Sequence, residues 1–216
     1  METPEDECPS YDRDCDSISD AVELNSANDY LNLDVNLIDQ NPTLARGGPC
    51  DGWITKALNM VNTGTGYYHY NIDPPGDIDD WGVLRLIYMI ERASRAWTIN
   101  NGTALRVGIG DLSLKEGGLF PPHSCHQNGL EVDIRYVRND GKEDPLNLNS
   151  VDSIYYDEDA TIRLVHHLIA YGNADSIYVD TLHTNLNHLG FSFIAHKSGH
   201  SDHFHTRIED PDGTAN

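Results

Sequence analysis

The chain has 216 residues, with 35 acidic and 14 basic side chains, and its formal net charge at pH 7 is −21. So acidic a chain is a poor partner for nucleic acid or for an anionic membrane surface. No apolar run is long enough to cross a bilayer. The length favours one sizeable domain with a continuous core over two small domains.

The first 45 residues are rich in Asp, Glu, Asn and Ser and show little periodicity. Such a composition buries too little apolar area to order itself. We therefore predict that 1–45 is an acidic extension, either poorly ordered or strapped over a domain at 46–212. Alternation at 31–38 is compatible with a short strand. The acidic start at Met1 is unlike a signal peptide, and we expect either that a signal has been removed or that export uses another route.

Four cysteines allow two disulfides in any of three pairings. None of them belongs to a paired CxxC zinc pattern. We expect disulfides and an oxidising compartment, and the alternative is that the thiols are reduced and structural. The four residues are Cys8, Cys15, Cys50 and Cys125.

Hydrophobic periodicity predicts two helices. The first is expected to be capped by Asp79 and Asp80 and to run to about Trp97, and the second to span 157–171 with Gly172 as its stop. The side chains expected to be buried are Val83, Ile87, Ile90 and Trp97 in the first helix and Ile162, Val165, Leu168 and Ile169 in the second.

Alternation of apolar and polar residues predicts strands at 103–110, 129–136, 176–180 and 203–208. The stretch 47–76 is rich in Gly, Asn and Pro and is predicted to form loops. Helices and strands do not alternate regularly. We therefore predict an α+β domain with a largely antiparallel sheet flanked by helices.

The strand at 129–136 separates its side chains into an apolar and a polar set. The apolar set is Leu130, Val132, Ile134 and Tyr136, and the polar set is Glu131, Asp133 and Arg135. A half-buried strand of this kind presents Asp133 away from the core. A turn at 127–129 can fold the imidazole of His126 back over the same polar face.

The strand at 203–208 repeats this parity and places His203 and His205 on one face. If the two strands pair, these imidazoles converge with His126 and Asp133. Two histidines and one aspartate are a typical ligand set for catalytic zinc, which keeps a fourth position for water and favours hydrolysis. The alternative is that histidines cluster by chance. The HisGluxxHis helix of thermolysin-like enzymes is absent from the sequence.

Three blocks of sequence, 110–114 (GDLSL), 123–134 (HSCHQNGLEVDI) and 199–208 (GHSDHFHTRI), occur in this order. Together they resemble the penicillin-insensitive murein endopeptidases, within the wider lysostaphin, D-Ala-D-Ala peptidase and hedgehog-like metallopeptidase group. The resemblance covers much of 103–208 and little of the first hundred residues.

The resemblance implies roles for six residues. His126, Asp133 and His205 would be the zinc ligands, His203 the neighbouring catalytic histidine, and His123 and His200 further histidines of the site. Related carboxypeptidases place a glutamate shortly before their His-x-His pair, whereas 199–202 reads GHSD here, which favours the endopeptidase branch. Glu131 stands where the family commonly has an aspartate.

The function implied by this resemblance is a zinc-dependent peptidoglycan hydrolase that cleaves peptide cross-links by attack of zinc-activated water. We expect it to be periplasmic or secreted, without nucleic-acid partners or membrane insertion. Two alternatives remain: a zinc-stabilised, non-catalytic binding module of the same fold, and a D-Ala-D-Ala carboxypeptidase. Because three other residues complete the ligand set, Cys125 is expected to form a disulfide, with Cys50 as a candidate partner.

Other polar and aromatic residues have weaker signals. The tyrosines at 67, 68 and 70 either floor a groove for glycan or peptide or simply pack. Gly108-x-Gly110 lacks the third glycine and the helix of a dinucleotide-binding fingerprint. His166 and His167 are expected at the surface or in helix packing. The remaining candidates for loop or groove positions are His183, His188 and His196.

Overall fold

The computed structural model describes residues 43–60, 63–70, 78–102, 105–172, 174–180 and 194–210. All of these belong to one compact unit. The predicted acidic extension, apart from its last three residues, lies outside the described residues. So do the alternating segment at 31–38 and Cys8, Cys15, His183 and His188.

Seven strands form the main sheet, and four more form two separate antiparallel pairs. In chain order the strands are β1 (Leu44–Gly48), β2 (Asp51–Thr55), β3 (Leu58–Asn59), β4 (Thr63–Gly64), β5 (Tyr67–His69), β6 (Trp81–Gly82), β7 (Val107–Ile109), β8 (Glu131–Arg135), β9 (Ala174–Val179), β10 (Ile194–His196) and β11 (His203–Ile208). The main sheet has the order β10–β9–β11–β8–β7–β5–β4, and the pairs are β1–β2 and β3–β6.

The main sheet is mixed but largely antiparallel. Among the described strands, the pairs β10–β9 and β5–β7 are parallel, and the pairings that surround β8 and β11 are antiparallel. With two helices beside it, the sheet confirms the predicted α+β class.

Helix α1 (Leu84–Asn101) begins later and ends later than predicted. Val83, and not Asp79 or Asp80, is its N-cap residue. The backbone N–H of Leu84 instead donates to the hydroxyl of Thr43 at 2.7 Å, so a side chain distant in sequence supplies the cap. Asp80 is used elsewhere: its carboxylate lies 2.8 Å from Nδ1 of His69 in a buried pair.

Helix α2 (Glu158–Gly172) has the predicted position but a rotated buried stripe. Val165 and Leu168 are buried as predicted, whereas Ile162 and Ile169 are only half-buried. Leu164 and His167 are buried in their place, because this side of the helix packs against α1. The ring of His167 meets the ring of Trp97 edge-on, with centroids 6.0 Å apart. In α1 the predicted burial of Ile87, Ile90 and Trp97 is confirmed, and Val83 is buried at its cap position.

Two further predictions are wrong. The stretch 47–76 is not all loop, since it contains β2 and, in β5, a strand of the main sheet that runs parallel to β7. The strand at 129–136 is not half-buried, because β8 is central and enclosed on both faces: Glu131 is 2% exposed and Asp133 is 3% exposed. The strand predicted at 103–110 is confirmed only as the shorter β7, with 103–104 outside the described residues.

The two helices lie on the face of the sheet that carries the apolar side chains. α1 contacts β5, and α2 contacts both α1 and β9. The apolar residues of this face are Val107, Ile109, Val132, Ile134, Phe204 and Ile177, all buried. The opposite face is approached by the segment that precedes β8.

A disulfide between Cys50 and Cys125 joins that segment to the β1–β2 turn. The backbone N–H of Gln127 donates to the carbonyl of Pro49 at 2.9 Å and reinforces the link. The pairing confirms the predicted use of Cys125. In the part of the chain described, neither helix has the length and apolar character that a membrane span requires.

Candidate metal centre

Strands β8 and β11 pair in the register that the sequence parity requires. His205 lies directly opposite Asp133, His203 opposite Arg135, and Arg207 opposite Glu131. Because side chains alternate along each strand, these residues share the face away from the helices. The predicted convergence of the two strands is therefore present.

His126 reaches this face from the loop before β8. Its backbone is left-handed, with φ of 65°, a conformation that residues other than glycine seldom adopt. The backbone N–H of His126 donates to the carboxylate of Glu131, which fixes the peptide in this conformation. The imidazole is then directed over β8, where it is 1% exposed.

Three atoms from the predicted ligand residues form a compact triangle. Nε2 of His126 lies 2.9 Å from Nδ1 of His205 and 3.2 Å from Oδ1 of Asp133. Nδ1 of His205 lies 3.0 Å from the same carboxylate oxygen. Ligands about 2.0–2.1 Å from a tetrahedral zinc are separated by roughly 3.3 Å, so the triangle has nearly the size that such an ion requires.

The outer contacts of the two imidazoles fix which nitrogen of each ring faces the triangle. Nδ1 of His126 lies 2.7 Å from the carbonyl of Leu112, an acceptor, so this nitrogen carries a hydrogen. Nε2 of His205 lies 3.1 Å from the carboxylate of Glu131 and donates to it. In the neutral rings, Nε2 of His126 and Nδ1 of His205 therefore direct lone pairs at each other and at Asp133.

Such a concentration of lone pairs requires a positive charge at its centre. Burial alone would lower the pKa of His205, but hydrogen bonds to Asp133 and Glu131 raise it to about 9. Burial would raise the pKa of Asp133, but His126 and the other neighbouring histidines hold it well below its usual value. Either protons on the histidines or a bound cation can supply the balancing charge, so the donor set fits a metal ion.

Two histidine–aspartate pairs flank the second oxygen of Asp133. Nε2 of His123 lies 2.5 Å from Asp111, and its Nδ1 is 3.7 Å from Oδ2 of Asp133. Nδ1 of His203 lies 2.9 Å from Asp202, and its Nε2 is 3.6 Å from the same Oδ2. Both histidines are thus oriented by a carboxylate and border the triangle.

His123 also belongs to a second possible ligand group. His123, His126 and Asp133 each offer an atom that could hold a metal ion, and these atoms lie within 4.8 Å of one another. This group is looser than the triangle that includes His205, where the separations are 2.9–3.2 Å. One nitrogen of His123 is also engaged by Asp111.

His200 lies further from the triangle than the other predicted residues. Its ring centroid is 5.1 Å from that of His203 and 6.1 Å from that of His205, and its Nδ1 lies 3.2 Å from the carbonyl of Lys197. His196 does not join the group, because its Nδ1 is bound to the carbonyl of Asp180.

Sequence reasoning missed three residues of this region, Glu131, Asp111 and Tyr178, and gave Tyr70 only as a groove or packing residue. Glu131, which stands where the family commonly has an aspartate, accepts hydrogen bonds from the backbone N–H of His126 and from Nε2 of His205. Asp111 orients His123, Tyr178 stacks on His205 with centroids 5.4 Å apart, and Tyr70 lies close enough that burial, followed by the charges of Asp133 and Asp111, raises the pKa of its hydroxyl well above its usual value. The parity of Glu131 with Asp133, and the position of Asp111 inside the block 110–114, were usable signals.

Two histidines with one carboxylate are a ligand set that occurs in catalytic zinc sites. The family model for penicillin-insensitive murein endopeptidase matches residues 45–164, more than half of the chain, and the chain belongs to that family. The match includes His123, His126 and Asp133 and ends before β11. No curated protein matches the chain. Family membership makes it a peptidase that acts on peptidoglycan, and hence on the cell wall.

Proposed function

We propose that the chain is a zinc-dependent endopeptidase that cleaves the peptide cross-links of peptidoglycan. His126, Asp133 and His205 are the zinc ligands of this proposal, and the active domain is 46–212. The enzyme acts in the periplasm or outside the cell, where its substrate lies.

One observation carries the proposal: three donor atoms on two strands and a loop lie 2.9–3.2 Å apart, with lone pairs directed at a common point. Glu131 and the Leu112 carbonyl complete this set as the outer partners that metal-bound histidines usually have. Two imidazoles and one carboxylate suit zinc better than the oxygen-seeking Mg²⁺ or Ca²⁺. Zinc in such a site lowers the pKa of a bound water to about 7 and polarises a carbonyl.

The surrounding histidines supply the proton transfers that peptide hydrolysis needs. Burial lowers the pKa of His203, but the adjacent Asp202 and Asp133 raise it overall. The raised pKa favours the protonated ring, which can donate to an oxyanion or a leaving amine. Burial, and then the charges of His203 and His205, lower the pKa of His200. His200 is therefore neutral near pH 7 and can accept a proton, while Asp111 holds His123 beside Oδ2 of Asp133.

The test is digestion of purified murein by the zinc-loaded protein, with products identified by mass spectrometry. We expect cross-linked dimers to be converted to monomers, and we expect chelator to stop the conversion. The His205→Ala variant should lose both zinc and activity, whereas His166→Ala on α2 should retain both. A fully active His205→Ala variant would overturn the ligand assignment.

A second variant separates catalysis from metal binding. His203→Ala should retain one zinc per chain, because the ligand triangle does not include His203, and its turnover should fall by roughly 100-fold or more. Loss of zinc in this variant would make His203 a ligand.

The murein digest also separates the alternatives. Release of free D-alanine with dimers left intact would identify a carboxypeptidase. A zinc-loaded protein that binds murein without changing its products would be a binding module. Either result would contradict the proposed endopeptidase activity.

A further inference from the structure

We propose that Arg135 binds a free carboxylate of the peptide substrate beside the metal centre, and that the enzyme is therefore selective for cross-links that carry a carboxylate near the scissile bond. The proposal rests on the proposed function and specifies its substrate class. It comes from a part of the sheet that the predicted site did not include, a shelf formed by Tyr68, Tyr70 and Arg135.

Arg135 is on the same face of the sheet as the candidate ligands. It follows Asp133 by two residues on β8 and lies opposite His203 on β11. Residues two apart on a strand are separated by about 6.6–6.8 Å. The backbone positions of Arg135 and Asp133 are thus this far apart, and their side chains leave the same face of the strand.

Two glycines create the space for the shelf. Tyr68 pairs with Gly108 across β5 and β7. A Cβ atom on Gly108 would lie 2.9 Å from the Tyr68 hydroxyl and 3.1 Å from Cβ of Arg135, and one on Gly110 would clash with the Tyr70 hydroxyl. Because neither Gly108 in β7 nor Gly110, the residue after β7, carries a side chain, both phenol rings can extend toward β8.

The guanidinium of Arg135 is held by neutral groups. Its central carbon lies 4.0 Å from the centroid of the Tyr70 ring, and Nη1 donates to the Glu143 carbonyl at 2.9 Å. The Tyr68 hydroxyl donates to the same carbonyl at 3.3 Å. These contacts fix the orientation of the side chain, and none of them is to a carboxylate.

The neighbouring arginines, unlike Arg135, form salt bridges with carboxylates. Arg106 forms a bidentate pair with Glu143, at 2.6 and 2.8 Å, and Arg138 forms one with Asp140, at 2.8 and 2.7 Å. Arg135 has no salt bridge to a carboxylate among the residues that the structure describes. In a chain with 35 acidic and 14 basic residues, most cations are expected to find an acidic partner, and within the described residues Arg135 does not.

A cleft beside Arg135 gives a ligand access to it. The cleft is open to solvent, and its polar lining includes Tyr68, Arg106, Arg135 and Lys142. It also includes two acidic residues, Glu143, whose carboxylate is paired with Arg106, and Asp144. A guanidinium has five N–H donors in a planar fork that matches a carboxylate. A carboxylate is therefore the substrate group that Arg135 is best suited to bind.

The experiment compares defined cross-linked peptides in which each free carboxylate is replaced in turn by a primary carboxamide. For one position, we expect amidation to lower kcat/KM of the zinc-loaded wild type by about 10- to 100-fold, as for loss of a charge-assisted bidentate contact. The Arg135→Gln variant should cleave the acid and the amide at this position equally well. Arg135→Lys should show intermediate discrimination. Arg85→Gln, which removes an exposed charge from α1, should behave as wild type.

Binding of the same peptides to the chelator-treated protein, measured by calorimetry, gives a readout that does not depend on turnover. The same discrimination in Kd, lost in Arg135→Gln, would support the proposal even without cleavage. Equal cleavage and equal binding of all acid and amide peptides by the wild type would overturn it, and so would discrimination that persists in Arg135→Gln. Failure of the wild type to digest murein would instead overturn the proposed function.

Discussion

Both faces of the main sheet are buried around β8, but burial is stabilised differently on each. On the helix-covered face, Ile134 and Phe204 are fully enclosed among apolar side chains. On the opposite face, Asp133 and His205 are almost equally enclosed, at 3% and 5% exposure. Successive residues of β8 therefore lie in two different interiors, one apolar and one composed of charged and polar side chains.

The difference lies in what each face requires. Burial of apolar side chains is favourable in proportion to the area removed from water. Burial of carboxylates and imidazoles is unfavourable unless their charges are paired and their hydrogen bonds satisfied. The helix-covered face is therefore complete once it is packed, whereas the opposite face needs protons or a cation. Substitutions on the first should change the stability of the fold, and substitutions on the second should change metal binding and chemistry.

The largest expected effect is on the polar face. Asp133→Asn keeps the shape of the side chain but removes the negative charge from the ligand triangle. We expect zinc to be lost and hydrolysis to fall roughly a thousandfold or more, beyond the 10- to 100-fold typical of residues that only support a ligand. Zinc content by atomic emission and murein digestion measure the two effects. Asp159→Asn, an exposed residue of α2, is the control, and a zinc-replete Asp133→Asn variant would contradict the assignment.

The adjacent residue tests the other face. Ile134→Ala removes a fully buried side chain that points toward the helices, and we expect the free energy of unfolding to fall by about 2–5 kcal/mol. The zinc content per folded chain should not change. Urea denaturation at a fixed zinc concentration measures the stability. Loss of zinc by Ile134→Ala with an unaltered unfolding transition would contradict the assignment of stability to one face and metal binding to the other.

A pH effect is expected between the helices. Burial, and then the charges of His166 and Arg163, lower the pKa of His167 from 6.5 to about 4. Below pH 6.5, His167 binds a proton in the unfolded chain but stays neutral in the folded chain. The free energy of unfolding therefore decreases as the pH falls from 6.5 toward 4. The loss amounts to about 2 kcal/mol at pH 5.

His167→Phe removes this titration and serves as the comparison. The free energy of unfolding of the wild type, measured in urea at pH 7 and pH 5, should fall by about 2 kcal/mol more than that of the variant. The metal centre is common to both proteins, so its own pH dependence cancels in the difference. Parallel pH profiles would show that His167 does not stay neutral in the folded chain.

The smallest effect is expected from the outer shell of the polar face. Glu131→Gln keeps a hydrogen-bonding side chain beside His126 and His205 but removes its charge. We expect zinc affinity to fall by about 10- to 100-fold, measured by competition with a chromophoric chelator. Glu116→Gln, at an exposed position, should bind zinc as the wild type does. An unchanged affinity in Glu131→Gln would leave the tautomer of His205 set by something other than this carboxylate.

The sequence was sufficient for the features that depend on strand parity and local order. Alternation in β8 and β11 predicted which side chains share a face, and the register of His205 with Asp133 agrees with it. Periodicity located both helices, although Thr43 caps α1 from a distance that local patterns do not cover. Alternation along β8 also placed Glu131 on the same face as Asp133. It could not reveal that both side chains would be buried, because that depends on the loop before the strand.

Features that depend on side chains meeting across strands were not predictable in this way. Tyr68, Tyr70 and Arg135 are far apart in sequence, and they meet only because β5, β7 and β8 are neighbours. In the sequence, Gly108 and Gly110 could be compared only with a dinucleotide-binding motif, which they do not match. In the structure, they leave room for the rings of Tyr68 and Tyr70. The identity of the metal was inferred from the donor types alone.

The most direct test is a crystal structure of the zinc-loaded protein with anomalous diffraction measured at the zinc edge. We predict one strong peak about 2.0–2.2 Å from Nε2 of His126, Oδ1 of Asp133 and Nδ1 of His205, with His123 and His203 outside this distance. A peak coordinated by His123, His126 and Asp133 with His205 unbound, or no peak at β8 and β11, would contradict the proposed centre.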